Sequence, residues 1–195
     1  MPRVSDAHLA SRRQQIVDAA SQLFAEKGFS RTTMADVVTA SKLSTGAVYS
    51  YFSGKNDLVL AVVAGKDGTI DGRLTDETPV ELIVRLAAYI APGTGAAHAR
   101  LVAQIWGDAA VVPELATVVC ASHERLQRHL ADLLQAASHS TSADDRTAPV
   151  RAQVALTALV GLAALIASGV HVNVASFLQT LTPLFDPSST HAPTG

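Results

Sequence analysis

Between Leu43 and Lys55 the chain sets Ser44-Thr45-Gly46-Ala47 just ahead of three aromatics, Tyr49, Tyr51 and Phe52, and a lysine, Lys55. Nothing in that stretch pairs a nucleophile with a base, so its chemistry is recognition rather than catalysis. Small side chains at the leading end of a helix let the backbone approach base edges in a DNA major groove. Phenol hydroxyls and an ammonium group just behind them can reach phosphates. The candidate contact set is therefore Ser44, Thr45, Gly46 and Ala47 at the tip and Tyr49, Tyr51 and Lys55 behind it, with Thr33 and Lys42 alongside.

Such a tip needs a scaffold, and the flanking residues spell one out. Thr33 is a good N-cap, and Asp36 three residues later makes a weaker version of the capping box while complementing the helix dipole. Met34, Val37 and Val38 follow at helical spacing. Ser44 caps the next helix, with Leu43 and Val48 placed as a hydrophobic staple. Ser41-Lys42 leaves only a short turn between the two helices, as a helix-turn-helix requires. Ahead of them, Ile16, Ala19, Ala20, Leu23 and Phe24 recur with period 3.6 and predict a helix from Arg12 to Lys27. Gly28 stands at its left-handed C-cap position, with Phe29 folding back behind it.

Residues 12–62 resemble the DNA-binding domain of the TetR-type (tetracycline-repressor-like) transcriptional regulators. The resemblance rests on Ala25-Glu26-Lys27-Gly28-Phe29, on Thr32-Thr33, on Leu43 through Phe52, and on Gly54-Lys55-Asn56-Asp57-Leu58 opening a fourth helix. The turn departs from the family pattern, which usually has glycine where this chain has Lys42. If Lys42 is left-handed, the substitution costs on the order of 1 kcal/mol.

The rest of the chain predicts an all-α protein. A helix from Lys55 to about Asp71, one opened by Thr78-Pro79 and stopped before Pro92, one from about Ala96 to Gly107, and a long one from Pro113 to about Ala137 follow in turn. Residues 138–149 read as a loop. The expected organisation is an N-terminal helix-turn-helix DNA-binding domain over 1–54, a C-terminal regulatory and dimerisation domain over 55–185, and a disordered polar tail over 186–195.

From Ala152 to Phe185 there is no Asp, Glu, Lys or Arg, and Val154–Val170 is apolar all round. A helix of that kind is buried by protein on every side or spans a membrane. The run is at the short limit for a span and is interrupted by Thr157 and Ser168. Small residues at Ala158, Gly161, Ala164 and Ser168 permit close helix approach, and Val174, Phe177, Leu178, Leu181 and Phe185 form a stripe after an Asn173 cap. A homodimer through residues 150–185, built as an intersubunit four-helix bundle, is the expectation, with no membrane. The resemblance implies the same, since the family dimerises through its last two long helices.

The family resemblance also implies a small-molecule pocket in the middle helices. Here Tyr89, Gln104, Trp106, Cys120 and His123 offer aromatic and polar groups in an apolar setting, which suits a mainly apolar effector of unknown identity. Tyr89 and Trp106 would serve equally as ordinary core. Cys120 and His123 supply two of the three or four ligands a zinc site needs, and no second cluster completes them. No metal or cofactor is implied.

Charge supports localised DNA contact. Residues 1–55 hold seven Lys/Arg against four Asp/Glu, whereas the whole chain carries −2. A modestly basic head gains from being doubled in a dimer. Met1–Arg13 has no apolar signal region and Cys120 is the one cysteine, which predicts a cytoplasmic protein without an intrachain disulfide. No glycine-rich phosphate loop, G-x-S-x-G elbow or paired His/Cys zinc motif is present, so an enzyme is not expected. The reading is a dimeric transcriptional regulator, a repressor released from a palindromic operator. Its alternative is a helical homodimeric interaction protein that keeps the fold without regulated DNA binding.

Overall fold

The computed structural model describes residues 6–64, 77–93, 95–137 and 147–185. Nine α-helices and a closing 3-10 turn are present among them, and no strand. Of these residues, 6–64 and 104–122 form one compact unit, and 77–103 and 123–185 the other. The expected tail over 186–195, most of the 138–149 loop, and the stretch of the fourth helix beyond Ala64 lie outside the described residues.

In the first unit, α1 (Asp6–Lys27) packs chiefly on α2 (Met34–Ser41) and α4 (Lys55–Ala64), with α3 (Thr45–Tyr51) against α2. The α1 helix starts at Asp6, ahead of Arg12, because nothing between Asp6 and Arg12 breaks a helix. Ile16, Val17, Ala20, Leu23 and Phe24 bury its inner stripe, and Phe29, Val37, Val48, Phe52, Leu58 and Val62 fill the space opposite. Each is nearly or fully buried. Removing one large side chain there would cost roughly 2–5 kcal/mol.

The short helices are fixed by their ends. Thr33 accepts from the Asp36 amide at 3.1 Å, and Asp36 accepts from the Thr33 amide at 2.8 Å. This is a full reciprocal box made with aspartate. The Thr33 amide and the Thr33 hydroxyl, the latter at 2.7 Å, both donate to the Asp36 carboxylate and hold its pKa below the ordinary range. Ser44 accepts from the Ala47 amide at 3.3 Å to start α3. Lys42 is left-handed, with φ 56° and ψ 26°. It therefore occupies the conformation in which a glycine would be unstrained.

In the second unit, α5 (Pro79–Ile90) is boxed by Thr78 and Glu81 and packs on α8 (Ala148–Ala167) and α9 (Val174–Leu181). The other contributions come from residues 96–103 of α6 (Ala96–Ala109) and 123–137 of α7 (Pro113–Ala137), helices whose remaining residues belong to the first unit. Arg85 clamps Glu77 with two bonds, at 2.9 and 3.2 Å, and His129 Nε2 lies 3.6 Å from the same carboxylate.

One face of α8, Ala148, Ala152, Ala155, Leu156, Leu159, Leu162 and Ala163, is buried in this unit's core. The opposite face is open: Val150, Val154 and Leu165 are 64, 50 and 47% exposed, and nothing lies within 4 Å of a side chain built at Gly161. The helix is apolar all round, yet only half of it is covered. By length and composition alone it could cross a membrane. Asn173 caps α9 as expected, accepting from the Ser176 amide at 3.0 Å. The α9 stripe turns inward, because Leu181 and Phe185 are buried and Val174, Phe177 and Leu178 pack on the same core. Val174, Phe177 and Leu178 are only partly buried there, and Leu184 beyond them is 61% exposed.

Candidate nucleic-acid interface

Val48 and Phe52 bury one side of α3 and so turn Thr45, Gly46, Tyr49 and Ser50 outward. Gly46 stands in open space, with no atom within 4 Å of where a Cβ would be. Tyr49 is 49% exposed, a high value for a large aromatic that the core could have used. Ala47 and Tyr51 are half-buried, while Ser44 and Lys42 are exposed. Small groups at the tip with a phenol one turn behind make a surface that can enter a groove without steric obstruction.

Two of the expected contact residues are otherwise engaged. The Thr33 hydroxyl is held by Asp36, donating at 2.7 Å and accepting from its amide. Lys55 departs further from the expectation of a phosphate contact. Its ammonium group donates to the Phe29 carbonyl at 2.8 Å and the Thr32 carbonyl at 2.9 Å, and lies 4.2 Å from the centre of the Phe29 ring. Burial pushes its pKa down, with Asp108 opposing the shift. The side chain curls inward because the α1–α2 connection presents two carbonyls that no helix satisfies.

Two residues near the head escaped the sequence reading. The Arg13 guanidinium lies 5.2 Å from the Phe52 ring centre, which sets an exposed cation beside the end of α3. Asp108, in the last turn of α6, accepts from the Phe29 amide and, at 3.4 Å, from the Ser30 hydroxyl. Both positions result from folding between distant segments, which no local pattern encodes. The one signal for Asp108 is an acid at a helix C-terminus, where the dipole disfavours it.

The five expected pocket residues are divided between the two units, with Gln104, Trp106 and Cys120 in the first and Tyr89 and His123 in the second. Gln104 faces the turn at Gly28, and Trp106 is half-buried. Cys120 is a correction: expected to border a cavity, it is exposed to solvent on the outer side of its helix. Tyr89 stacks on His98 with ring centres 4.0 Å apart, and burial pushes its phenol up to about 12. His123 is half-buried, and that burial pushes its pKa down against the influence of Glu124.

Tip, caps and turn together define a helix-turn-helix head of the kind that docks in a major groove. Residues 16–62 match the family model described as bacterial regulatory proteins, tetR family. A transcriptional repressor of the helix-turn-helix type from Mycobacterium tuberculosis is 38% identical over 80 residues, covering 36% of this chain and 43% of the repressor. This chain thus spans less than half the length of that relative. Among solved structures, GusR of Salmonella enterica superposes with a TM-score of 0.70 at 24% identity, covering 94% of this chain and 99% of that one. A protein from Saccharomonospora viridis, solved in complex with choline, gives 0.63 at 19% identity, covering 89% and 94%. Over residues 16–62 the head is thus similar to the helix-turn-helix domain of the tetR-family bacterial regulatory proteins.

Proposed function

We propose that the protein is a dimeric repressor that holds a palindromic double-stranded operator and lets it go on binding a small, mainly apolar effector. The observation that carries this reading is the outward face of α3. There Thr45 and Gly46 are unobstructed and Tyr49 is left half-exposed beside a fully packed core. Residues 1–54 read the DNA: Thr45, Gly46 and Ala47 approach base edges, and Ser44, Tyr49, Tyr51 and Lys42 meet phosphates, with Thr33 and Lys55 holding the scaffold. Residues 55–185 regulate and dimerise. The open apolar stripe of α8 within residues 150–185 supports a second copy as its cover, because a soluble protein gains by burying such a stripe. A DNA target supports a cytoplasmic protein.

A small-molecule effector is supported by the choline held in a neighbour of the same fold, and its mainly apolar character by the half-buried Tyr89, Trp106 and His123. Effector binding must favour the DNA-released state, and operator DNA must then weaken effector binding by the same factor. The test is selection of genomic fragments by the purified protein, followed by a titration of the retained fragment at several salt concentrations. A repressor retains a palindromic fragment far more tightly than random duplex. Equal affinity for both would sink the reading.

A further inference from the structure

Asp108 holds the joint between α1 and α2, and its position there goes against its local preference. A carboxylate in the last turn of a helix faces the negative end of the dipole, so something outside α6 must compensate for it. The compensation is tertiary: the Phe29 amide and the Ser30 hydroxyl both donate to Asp108, and the Asp108 charge in turn opposes the lowering of the Lys55 pKa. The approach requires Gly28. That residue has φ +81°, and a Cβ there would come 3.0 Å from Asp108 Oδ2 and 3.2 Å from Gln104 Oε1.

Other polar groups of this connection have partners within the same unit. Thr32 donates its hydroxyl to the Gly28 carbonyl at 2.8 Å, and Lys55 takes the carbonyls of Phe29 and Thr32. The Phe29 amide is the first donor beyond the α1 C-cap, and the acceptor it finds is 79 residues away. Lys55 is the first residue of α4. One carboxylate on α6 therefore acts on both connections that set the helix-turn-helix, the turn into α2 and the start of α4. The same α6 helix runs without a break from residues 96–103, which belong to the other unit.

We propose that Asp108 is a positioning residue for DNA binding, acting through its bond to the Phe29 amide. This rests on the DNA-binding reading above. Asp108 itself touches no DNA; it acts by fixing the orientation of α2 and α3. A charge-assisted bond at such a joint is about twice as strong as a neutral one, so its loss should be measurable.

The test uses full-length protein, the fragment that wild type selects, and the variants Asp108→Ala and Asp108→Asn. Asp108→Ala should weaken operator binding by about tenfold or more, with the slope of affinity against salt unchanged because no phosphate contact is lost. Amide exchange at Phe29 should quicken by a similar factor while amides in the α1 core keep their rates. A general loss of stability would instead speed exchange throughout. Asp108→Asn keeps a neutral acceptor and should fall between the two, and it carries the test if the alanine variant does not fold. Wild-type affinity and wild-type Phe29 exchange in the variants would overturn the proposal. Failure of the DNA-binding reading would be seen separately, as wild-type protein that retains no fragment. Exchange at Phe29 would then still decide whether Asp108 holds the joint.

Discussion

Lys55 donates to the carbonyl of Phe29 at 2.8 Å while its ammonium group lies 4.2 Å from the centre of that residue's ring. One side chain thus gives the Phe29 carbonyl a second donor beside the Thr32 amide, and makes a cation–π contact with the ring of the same residue. A partly desolvated cation–π contact alone is worth roughly 1–2 kcal/mol. Lys55→Ala should therefore lower the melting temperature of the protein and weaken operator binding through the scaffold. The salt slope of binding should stay within half a unit of wild type, whereas loss of a phosphate contact would lower it by about one unit. Lys55→Met, which keeps the stem over the ring, should recover part of the stability. A salt slope reduced by a full unit would return Lys55 to the DNA surface.

Substitutions on the outer face of α3 should separate reading from holding. Gly46→Ala meets no neighbour and replaces glycine within a helix, a change worth up to about 1 kcal/mol in favour of the fold. The variant should be at least as stable as wild type and yet prefer different operator bases, as should Thr45→Ala. Tyr49→Phe should weaken every sequence about equally. A systematic binding-site selection with each variant provides the comparison. Unchanged base preference in both Gly46→Ala and Thr45→Ala would mean that another edge of the helix faces the bases.

The head was legible because its signals are local. Caps at Thr33 and Ser44, the Gly28 stop and the Ile16–Phe24 stripe each act within a few residues, and all appear in the structure. The all-helical class followed from the same periodicity. The inward bonds of Lys55 were not legible, because their acceptors, Phe29 and Thr32, lie more than twenty residues away. Asp108 was invisible for the same reason. In α8, composition gave an apolar cylinder, but which half is buried depends on where α5 and α9 pack. Cys120 was expected beside a cavity from its place in the middle helices alone, and its exposure to solvent depends on packing that no local pattern encodes.

Lys42 carries the one non-glycine positive φ among the described residues, 56°. Lys42→Gly should stabilise the protein by on the order of 1 kcal/mol, from the relief of left-handed strain. If the exposed ammonium group also meets a phosphate, the same variant should bind operator more weakly, with a salt slope lower by about one unit. Thermal denaturation and a salt titration read the two effects independently. A variant less stable than wild type would show that the turn draws stability from the lysine side chain itself.

The pH dependence of stability should have two separate arms. Burial lowers the pKa of His123, so the unfolded chain binds a proton there more readily than the folded one. Stability from this group is full above the ordinary histidine range near 6.5 and declines as the pH falls below it. The capping carboxylates Asp36 and Glu81 also have lowered pKa values, because of their bonds to Thr33 and Thr78. Their contribution is present above the ordinary carboxylate range near 4 and is lost only as the pH drops through it. Melting temperature measured from pH 8 to pH 3 should therefore fall in two steps. His123→Asn should remove the upper step and leave the lower one, and an unchanged upper step would assign it to another histidine.

The outer stripe of α8 should decide the oligomeric state. Val150, Val154 and Leu165 are largely exposed and Gly161 has free space above it, so a charged side chain at these positions fits the isolated subunit without disturbing its core. Placed in an intersubunit seam, the same charge would be buried without a partner, at a cost of several kcal/mol. Val154→Glu and Gly161→Glu should therefore give folded, soluble monomers by sedimentation, with unchanged helical content. Their operator affinity should fall steeply, because a monomer engages one half-site and loses half the phosphate contacts. Leu159→Glu, on the buried face, should instead unfold the second unit. If Val154→Glu and Gly161→Glu both sediment as dimers with full operator affinity, the seam lies on another surface.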